Sequence, residues 1–515
     1  MKIFSASQIY EADNSTIKNQ GITSVELMER AANQVFNWMH LRLQDTTVKI
    51  HLFCGIGNNG GDGLAVARLL KQHGYNIGVY VVNYSDKRSQ DFLINLDRLK
   101  DIKVWPDFIS DASDLPRITP DDILVDAIFG IGLNRPPASW VVVLLQHMNR
   151  SRAFILAIDV PSGLFLDKVP KDGKGIVCAN HTLTFQVPKL VFFLPQTGIY
   201  SNGWELLDIG LDQEYLSKTE TDYELTGKNE VLQWYRPREK FSHKGTYGHA
   251  LLVGGSFGKI GAVLLASRAC LYSGSGLVTA YVPKCGYLPV QTGLPEAMVI
   301  TDEGEEQIFH IFFDIDPSVI GIGVGMGTEN GTVKAFGEFL KNNKRPLVID
   351  ADALNILSKN KGMLKDLPAK AVLTPHPKEL ERLIGIWKDD FDKLEKAKSF
   401  SKKFNCVLVI KGANTVVLYN DKGYVNTTGN PGMATGGSGD VLTGIITGLI
   451  AQGYDSLQAA IFGVYLHGRA GDIAVEKTGY QALTATGIID SLGGAFLDLF
   501  QVAEGPQVQR SDNDS

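Results

Sequence analysis

Residues 429–448, GNPGMATGGSGDVLTGIITG, place seven glycines in twenty positions and run straight into an apolar segment. Val441, Leu442, Ile445, Ile446, Leu449 and Ile450 recur at three- and four-residue spacing, which predicts a helix with the glycines at its N-terminus. There Gly436, Gly437 and Gly439, flanking Ser438, let backbone N–H groups converge on an anion such as a phosphate. A carboxylate is electrostatically unwelcome beside an anion. Asp440 therefore reads either as a base taking a proton from a hydroxyl that attacks a phosphoryl group, or as a residue that merely complements the helix dipole. VIKGANT ends an apolar run with Lys411 and offers Gly412, Ala413, Asn414 and Thr415 to a nucleotide, and TPHPKE presents His376 at another strand exit. For His376 a structural role stands beside substrate contact. No G-x-x-x-x-G-K-[ST] occurs, so a P-loop enzyme is excluded and the segment by itself suggests a small-molecule kinase.

The first half carries a second constellation. In CGIGNNGGDGLAVARLL, Gly55, Gly57 and Gly60 satisfy G-x-G-x-x-G between a strand and a helix, the context of a dinucleotide-binding turn. An ordinary dehydrogenase would have an acidic residue at the end of the second strand, yet NIGVYVVNYSD reaches none until Asp86. The loop is also unusually polar, and Asn58, Asn59 and Asp62 read as ligands. VDAIFGIGL and AIDVPSGL end two further strands with Asp126 and Asp159, the second followed by Ser162. Strand C-termini line the ligand crevice of an open parallel sheet. Amide, carboxylate and hydroxyl oxygens there suit a hard, weakly charged cation, while one remaining carboxylate can move protons. Turn and capping roles are the alternative.

The elements needed to position these residues are legible as two α/β halves. Thr23 and Glu26 form a capping box ahead of the stripe Leu27, Met28, Ala31, Ala32, Val35, Phe36 and Met39. Strands are predicted at VKIHLFCG, NIGVYVVN, DILVDAIFG, AFILAIDV, HTLTFQV and WELLDIGL. A polar stretch over residues 216–240 reads as a linker between a domain over 1–215 and one over 241–505, with a disordered tail over 506–515. The second half restarts with HALLVGG, GLVTAYVP, SVIGIGVG, PLVIDAD, AVLTPHP, CVLVIKG and NTVVLYN, again mostly parallel α/β. At 515 residues, 44% hydrophobic and 21% charged, the chain can bury two cores. A net charge of −6 gives no field for nucleic acid. No signal peptide or long apolar run is seen, so a cytoplasmic protein with no membrane partner is expected. The five cysteines form no CxxC pair and indicate neither a disulfide framework nor a zinc site.

Taken together, GNNGGDG, VDAIFG and DVPSGL resemble the NAD(P)H-hydrate epimerase domain, a Rossmann-like open sheet. SHKGTYGHALLVGGS, TPHPKE and GGSGDVLTG resemble the ribokinase-like, ADP-dependent NAD(P)H-hydrate dehydratase domain, and their order matches the bifunctional repair enzymes. The resemblance implies that Asn58, Asn59, Gly60, Gly61 and Asp62, with Gly130, Ile131, Gly132, Leu133, Asn134, Arg135, Pro136 and Asp159, contact the hydrated nucleotide. It implies potassium at Asn59, Asp126 and Ser162, and a second hydrate site at Ala262, Gly325, His376 and Asp440. ADP, with Mg2+, would lie on Lys411 to Thr415 and Gly436 to Gly439, and a homo-oligomer is expected. Phe165 stands where the family has an acidic residue, with Asp167 two positions on; Ile56, Ile131 and Val324 are milder departures. A sugar or vitamin kinase fused to a nucleotide-binding module, or a regulatory sensor of hydrated cofactor, would keep the same folds.

Overall fold

The computed structural model describes residues 1–43 and 47–501. The tail expected over 506–515 lies outside the described residues. Two compact units emerge, one of residues 1–225 with 387–395, the other of 226–386 with 396 onward.

In the first unit seven parallel strands run in the order 107–109, 77–82, 50–54, 123–127, 154–158, 181–185, 203–207. Ile50–Cys54 is buried at every position, because a central parallel strand has both faces covered. Helices Ser24–Arg42, Asn58–Gln72 and Gln90–Asp101 pack on Leu52, Cys54, Val79 and Val125. Helix Ser139–Arg150 packs on Phe53, Tyr80 and Leu124 of the opposite face. The Thr23/Glu26 capping box forms as expected. The strand order reverses at Ile50–Cys54, so the loops after it and after Ile123–Ala127 border one crevice.

The second unit orders its strands 422–426, 416–419, 407–410, 372–373, 347–349, 319–322, 249–253, 277–282, 298–301. They are parallel from 407–410 onward, while 416–419 pairs antiparallel with both of its neighbours. Helix Ser438–Ala451 is buried almost along its length against helix Ile260–Tyr272 and the sheet, through Val441, Ile445 and Leu449. Both units have the α/β class that the alternating pattern predicts.

The segment over 216–240 carries more structure than its polar composition signals. It holds strand Tyr223–Thr226 and helix Lys228–Leu232, and Val231 is part of the second unit's core. Strand Lys422–Asn426 was likewise not expected, nor were Asp107–Ile109 and Met298–Thr301, which lie at sheet edges where half-exposed residues blur the apolar run. Among the described residues no helix is long and apolar enough to cross a membrane.

Candidate active sites

In the first unit, two glycines of G-x-G-x-x-G are dictated by close backbone approach. A Cβ on Gly55 would lie 1.9 Å from the Ile128 carbonyl oxygen, and one on Gly60 would lie 1.8 Å from that of Gly55. This packing seats helix Asn58–Gln72 against the sheet, so that Asn58, Asn59 and Asp62 line a cavity of about 390 Å3. Gly130 to Arg135 and Asp159 line it too. Gly60, Gly61 and Pro136 do not reach its wall, the two glycines being buried within the helix.

Asp126 and Ser162 are fully buried and bonded to each other: the Ser162 N–H donates to Oδ2 at 2.7 Å and its hydroxyl to Oδ1 at 2.5 Å. Burial pushes Asp126 up to about 6; hydrogen bonds from Ser162 and Ile128 offset this in part, and no cationic side chain contributes. Asn59 is close by chain packing, since a Cβ on Gly130 would lie 3.4 Å from its Oδ1, and its Nδ2 is buried without a partner. Gly130 itself borders the loop that includes Phe129, whose N–H donates to Ser162 Oγ at 2.8 Å. Asn59 on the cavity wall thus adjoins the loop at Phe129 and Gly130 that Ser162 holds, with Asp126 and Ser162 buried off the wall.

Asp159 takes φ 68°, left-handed backbone that is uncommon outside glycine and that aspartate tolerates better than most residues, at the end of strand Phe154–Ile158. Its Oδ1 is 2.8 Å from Lys189 Nζ, and Lys189 is 1% exposed. Phe165 is buried and Asp167 exposed, so Asp167 does not supply the acidic group missing at 165.

In the second unit Gly437 caps helix Ser438–Ala451 at φ 87°, a conformation glycine adopts without penalty. Asp440 follows in the first turn. Burial first, then the Asp350 charge, push its carboxyl up to about 6, while Lys411 pulls it down in part. Asp350 is 2% exposed; it accepts from Lys411 Nζ at 2.9 Å and from the Thr443 hydroxyl at 2.8 Å. Lys411 is therefore held across the helix N-terminus: a Cβ on Gly439 would lie 3.3 Å from Nζ. Gly412 to Thr415 form the turn that follows, closed by the Thr415 hydroxyl on the Gly412 carbonyl at 3.3 Å. Ala262 and Gly325 are neighbours, a Cβ on Gly325 lying 3.0 Å from that of Ala262. Gly325 stands at φ 62°.

His376 caps helix Pro377–Ile384, its Nδ1 accepting from Lys378 and Glu379 N–H groups at 3.1 and 3.4 Å. Burial and then Lys411 lower its basicity, which keeps it beside the same cluster as a neutral ring. The structural role read for His376 is therefore present. His467, half-buried and pushed down to about 4 by desolvation and then by Lys411, sets its Nε2 3.3 Å from Ser438 Oγ.

Family models match both units. The one described as NAD(P)H-hydrate dehydratase matches residues 250–493, and the YjeF-related protein N-terminus matches 24–191. The bifunctional NAD(P)H-hydrate repair enzyme Nnr of Moorella thermoacetica is 36% identical, over 96% of this chain and 96% of its own. That of Escherichia coli K12 is 32% identical over 95% and 93%. This chain belongs to the bifunctional NAD(P)H-hydrate repair enzyme family. Among solved structures, an ADP/ATP-dependent NAD(P)H-hydrate dehydratase from Bacillus subtilis, co-crystallised with ATP/Mg2+, is 29% identical over 53% of this chain and 97% of its own, with a TM-score of 0.46.

Several residues that the sequence pattern does not single out lie at these candidate sites. Asp350 ends the strand run PLVIDAD just as Asp126 and Asp159 end theirs, so the same strand-end rule could have found it. Lys189, a lone charge in the apolar stretch QVPKLVFF, carried a weaker signal. Asp13 and Tyr10 carried none, being ordinary members of an amphipathic helix.

Proposed function

We infer that the chain is a bifunctional enzyme of nicotinamide nucleotide repair, an NAD(P)H-hydrate epimerase joined to an NAD(P)H-hydrate dehydratase. The observation that carries the dehydratase reading is Asp440 in the first turn above the Gly436–Gly439 nest, with Lys411 held across it by Asp350. ADP is the phosphoryl donor in this reading, its terminal phosphate lying on the nest and Lys411. Asp440 removes the proton of the ring hydroxyl as that oxygen attacks the phosphorus, and the bond to AMP breaks. Phosphate is a far better leaving group than hydroxide. The ring nitrogen's electron pair expels it and loss of a ring proton restores NAD(P)H, giving AMP and phosphate. Ala262, Gly325 and His376 would hold the hydrated ring. Among the described residues no cluster of three or more His, Cys, Asp or Glu side chains is arranged for a metal, so Mg2+ belongs with the nucleotide's phosphates.

The first unit's cavity interconverts the R and S hydrates, and the dehydratase consumes the S epimer. Asp159 is the proton-transfer group here. Potassium fits the donors behind it: one buried carboxylate without a cationic partner among the described residues, Asp126, with the Ser162 hydroxyl and the Asn59 amide oxygen. When bound it would neutralise Asp126 and fix the loop that presents Asn58 and Asp62. Incubation with NADH hydrate and ADP should return NADH absorbance with one AMP and one phosphate per NADH. A phosphorylated product that persists would instead make this a small-molecule kinase.

A further inference from the structure

The first helix, Ala6–Gln20, precedes the stretch matched by the N-terminal family model, which begins at residue 24. It is nonetheless firmly placed. Ser5 and Gln8 form a capping box, and Ile9, Ala12 and Thr16 are buried, with Ala12 packed among Leu27, Ala31 and Ile209. The Asp212 N–H donates to the Thr16 hydroxyl at 2.8 Å. One residue beyond each of Ile9 and Ala12, Tyr10 and Asp13 lie three apart on the adjoining flank, and both line the cavity that holds Asp62 and Asp159. Tyr10 touches the loop opposite, since a Cβ on Gly132 would lie 2.5 Å from its phenol oxygen.

Around this cavity four carboxylates, Asp13, Asp62, Asp91 and Asp159, meet one buried lysine, Lys189, and one exposed arginine, Arg135. Lys189 is committed to Asp159 at 2.8 Å and donates also to the Phe185 carbonyl at 3.0 Å. Burial and then the Asp159 charge push Asp13 up to about 6, with Lys189 opposing in part. Asp62 is raised well above the usual carboxylate range by burial and by Asp159, Asp13 and Asp91, and Tyr10 is raised by burial and by Asp159 and Asp13. One carboxylate is thus salt-bridged while a half-buried neighbour, Asp13, keeps its proton up to about pH 6.

We propose that Asp13 is the second proton-transfer residue of the epimerase site, acting with Asp159. The proposal rests on the epimerase reading of this cavity. Hydration of an enamine double bond leaves the hydroxyl on the carbon next to the ring nitrogen. Asp159 takes the hydroxyl proton, the O–H electron pair becomes the second bond of a carbonyl, and the ring C–N bond breaks. Its electron pair goes to the nitrogen, which takes the proton of Asp13. The aldehyde turns about the adjacent C–C bond, and the nitrogen adds to its other face with both protons returned. No water or co-reactant is consumed. Lys189 positions Asp159, and the cavity of about 390 Å3 leaves room for the turn.

The test uses the full chain with an epimeric NADH hydrate mixture and ADP, corrected for spontaneous inversion. The fast phase reports dehydration of the reactive epimer, the second phase epimerisation. Asp13→Asn should slow the second phase by about 10²- to 10³-fold at unchanged KM, and Asp13→Glu should recover much of the rate. The wild-type second phase should fall about tenfold per pH unit above the Asp13 pKa, a limb that Asp13→Asn lacks. The fast phase should not change. A second phase within about threefold of wild type in Asp13→Asn, or one slowed with the alkaline limb intact, overturns the proposal. In 18O-labelled water the inverted hydrate should keep its oxygen; one labelled oxygen gained per inversion overturns the ring-opening route. If the wild-type chain shows no second phase faster than the spontaneous rate, the epimerase reading itself fails.

Discussion

In the first unit Asp13 is pushed up to about 6 by burial and by Asp159, with Lys189 opposing. In the second Asp440 is pushed up to about 6 by burial and by Asp350, with Lys411 opposing. The surroundings that do this differ. The N-terminal cavity crowds four carboxylates around one lysine 1% exposed and one exposed arginine, so negative charge is in surplus and Asp13 keeps its proton up to about pH 6. At the glycine nest the lysine is bound by Asp350, and the first-turn amides favour anions. Desolvation outweighs those amides for Asp440, which leaves it mostly ionised at neutrality yet more basic than an ordinary carboxylate. The same acidity serves opposite tasks: Asp440 must be ionised to accept a proton, whereas Asp13 must be protonated to give one.

The contrast breaks most sharply at Asp440. Asp440→Asn should lower dehydration by about 10²- to 10⁴-fold while ADP binding and epimerisation persist, read by NADH return and by epimer ratio. Near-normal turnover would reduce Asp440 to a dipole-complementing residue. Next come the two lysines. Lys189→Met leaves Asp159 buried without its partner and should cost the first unit about 3–5 kcal/mol in denaturant unfolding. Lys411→Met should cost the second unit a comparable amount, since it leaves Asp350, with a side chain 2% exposed, only the Thr443 hydroxyl among its two side-chain donors.

Acidity separates the units at the next scale. Dehydration should fall about tenfold per unit as pH drops below about 6, where Asp440 takes up its proton, and epimerisation should fall as pH rises above about 6, where Asp13 loses its own. Two activities on one chain with limbs of the same sign would end the comparison. The smallest effect expected is that of potassium. Exchanging it for a large organic cation should lower the melting temperature of the first unit by about 2–4 °C and leave the second unaffected, and Asp126→Asn should abolish the difference.

Much of this was legible because function and fold share one rule. Strand ends line the crevice of a parallel sheet, so Asp126, Asp159 and Lys411 could be picked out from apolar runs ending in polar residues, and the glycine nest from the helix stripe that follows it. Helix packing was not legible to the same degree. Nothing in YEADNSTIK distinguishes Asp13 from Glu11; only the burial of Ile9, Ala12 and Thr16 turns Asp13 toward the cavity and leaves Glu11 outside. The pairing of Lys189 with Asp159 joins residues thirty positions apart, which no local pattern records. Likewise the polar run over 216–240 hides Val231, which belongs to the second core, and Leu232, Trp234 and Tyr235, which pack against it.

The central claim, that two separate sites on one chain make both epimers repairable, is tested most directly with Asp159→Asn. The full chain is given an epimeric NADH hydrate mixture and excess ADP, faster than the epimers interconvert unaided, with the first unit's melting transition checked in parallel. Wild type should restore NADH from both epimers. The variant, with that transition retained, should restore the reactive epimer at the wild-type rate and then stop at the spontaneous rate. Rapid consumption of both epimers by the variant would contradict the account.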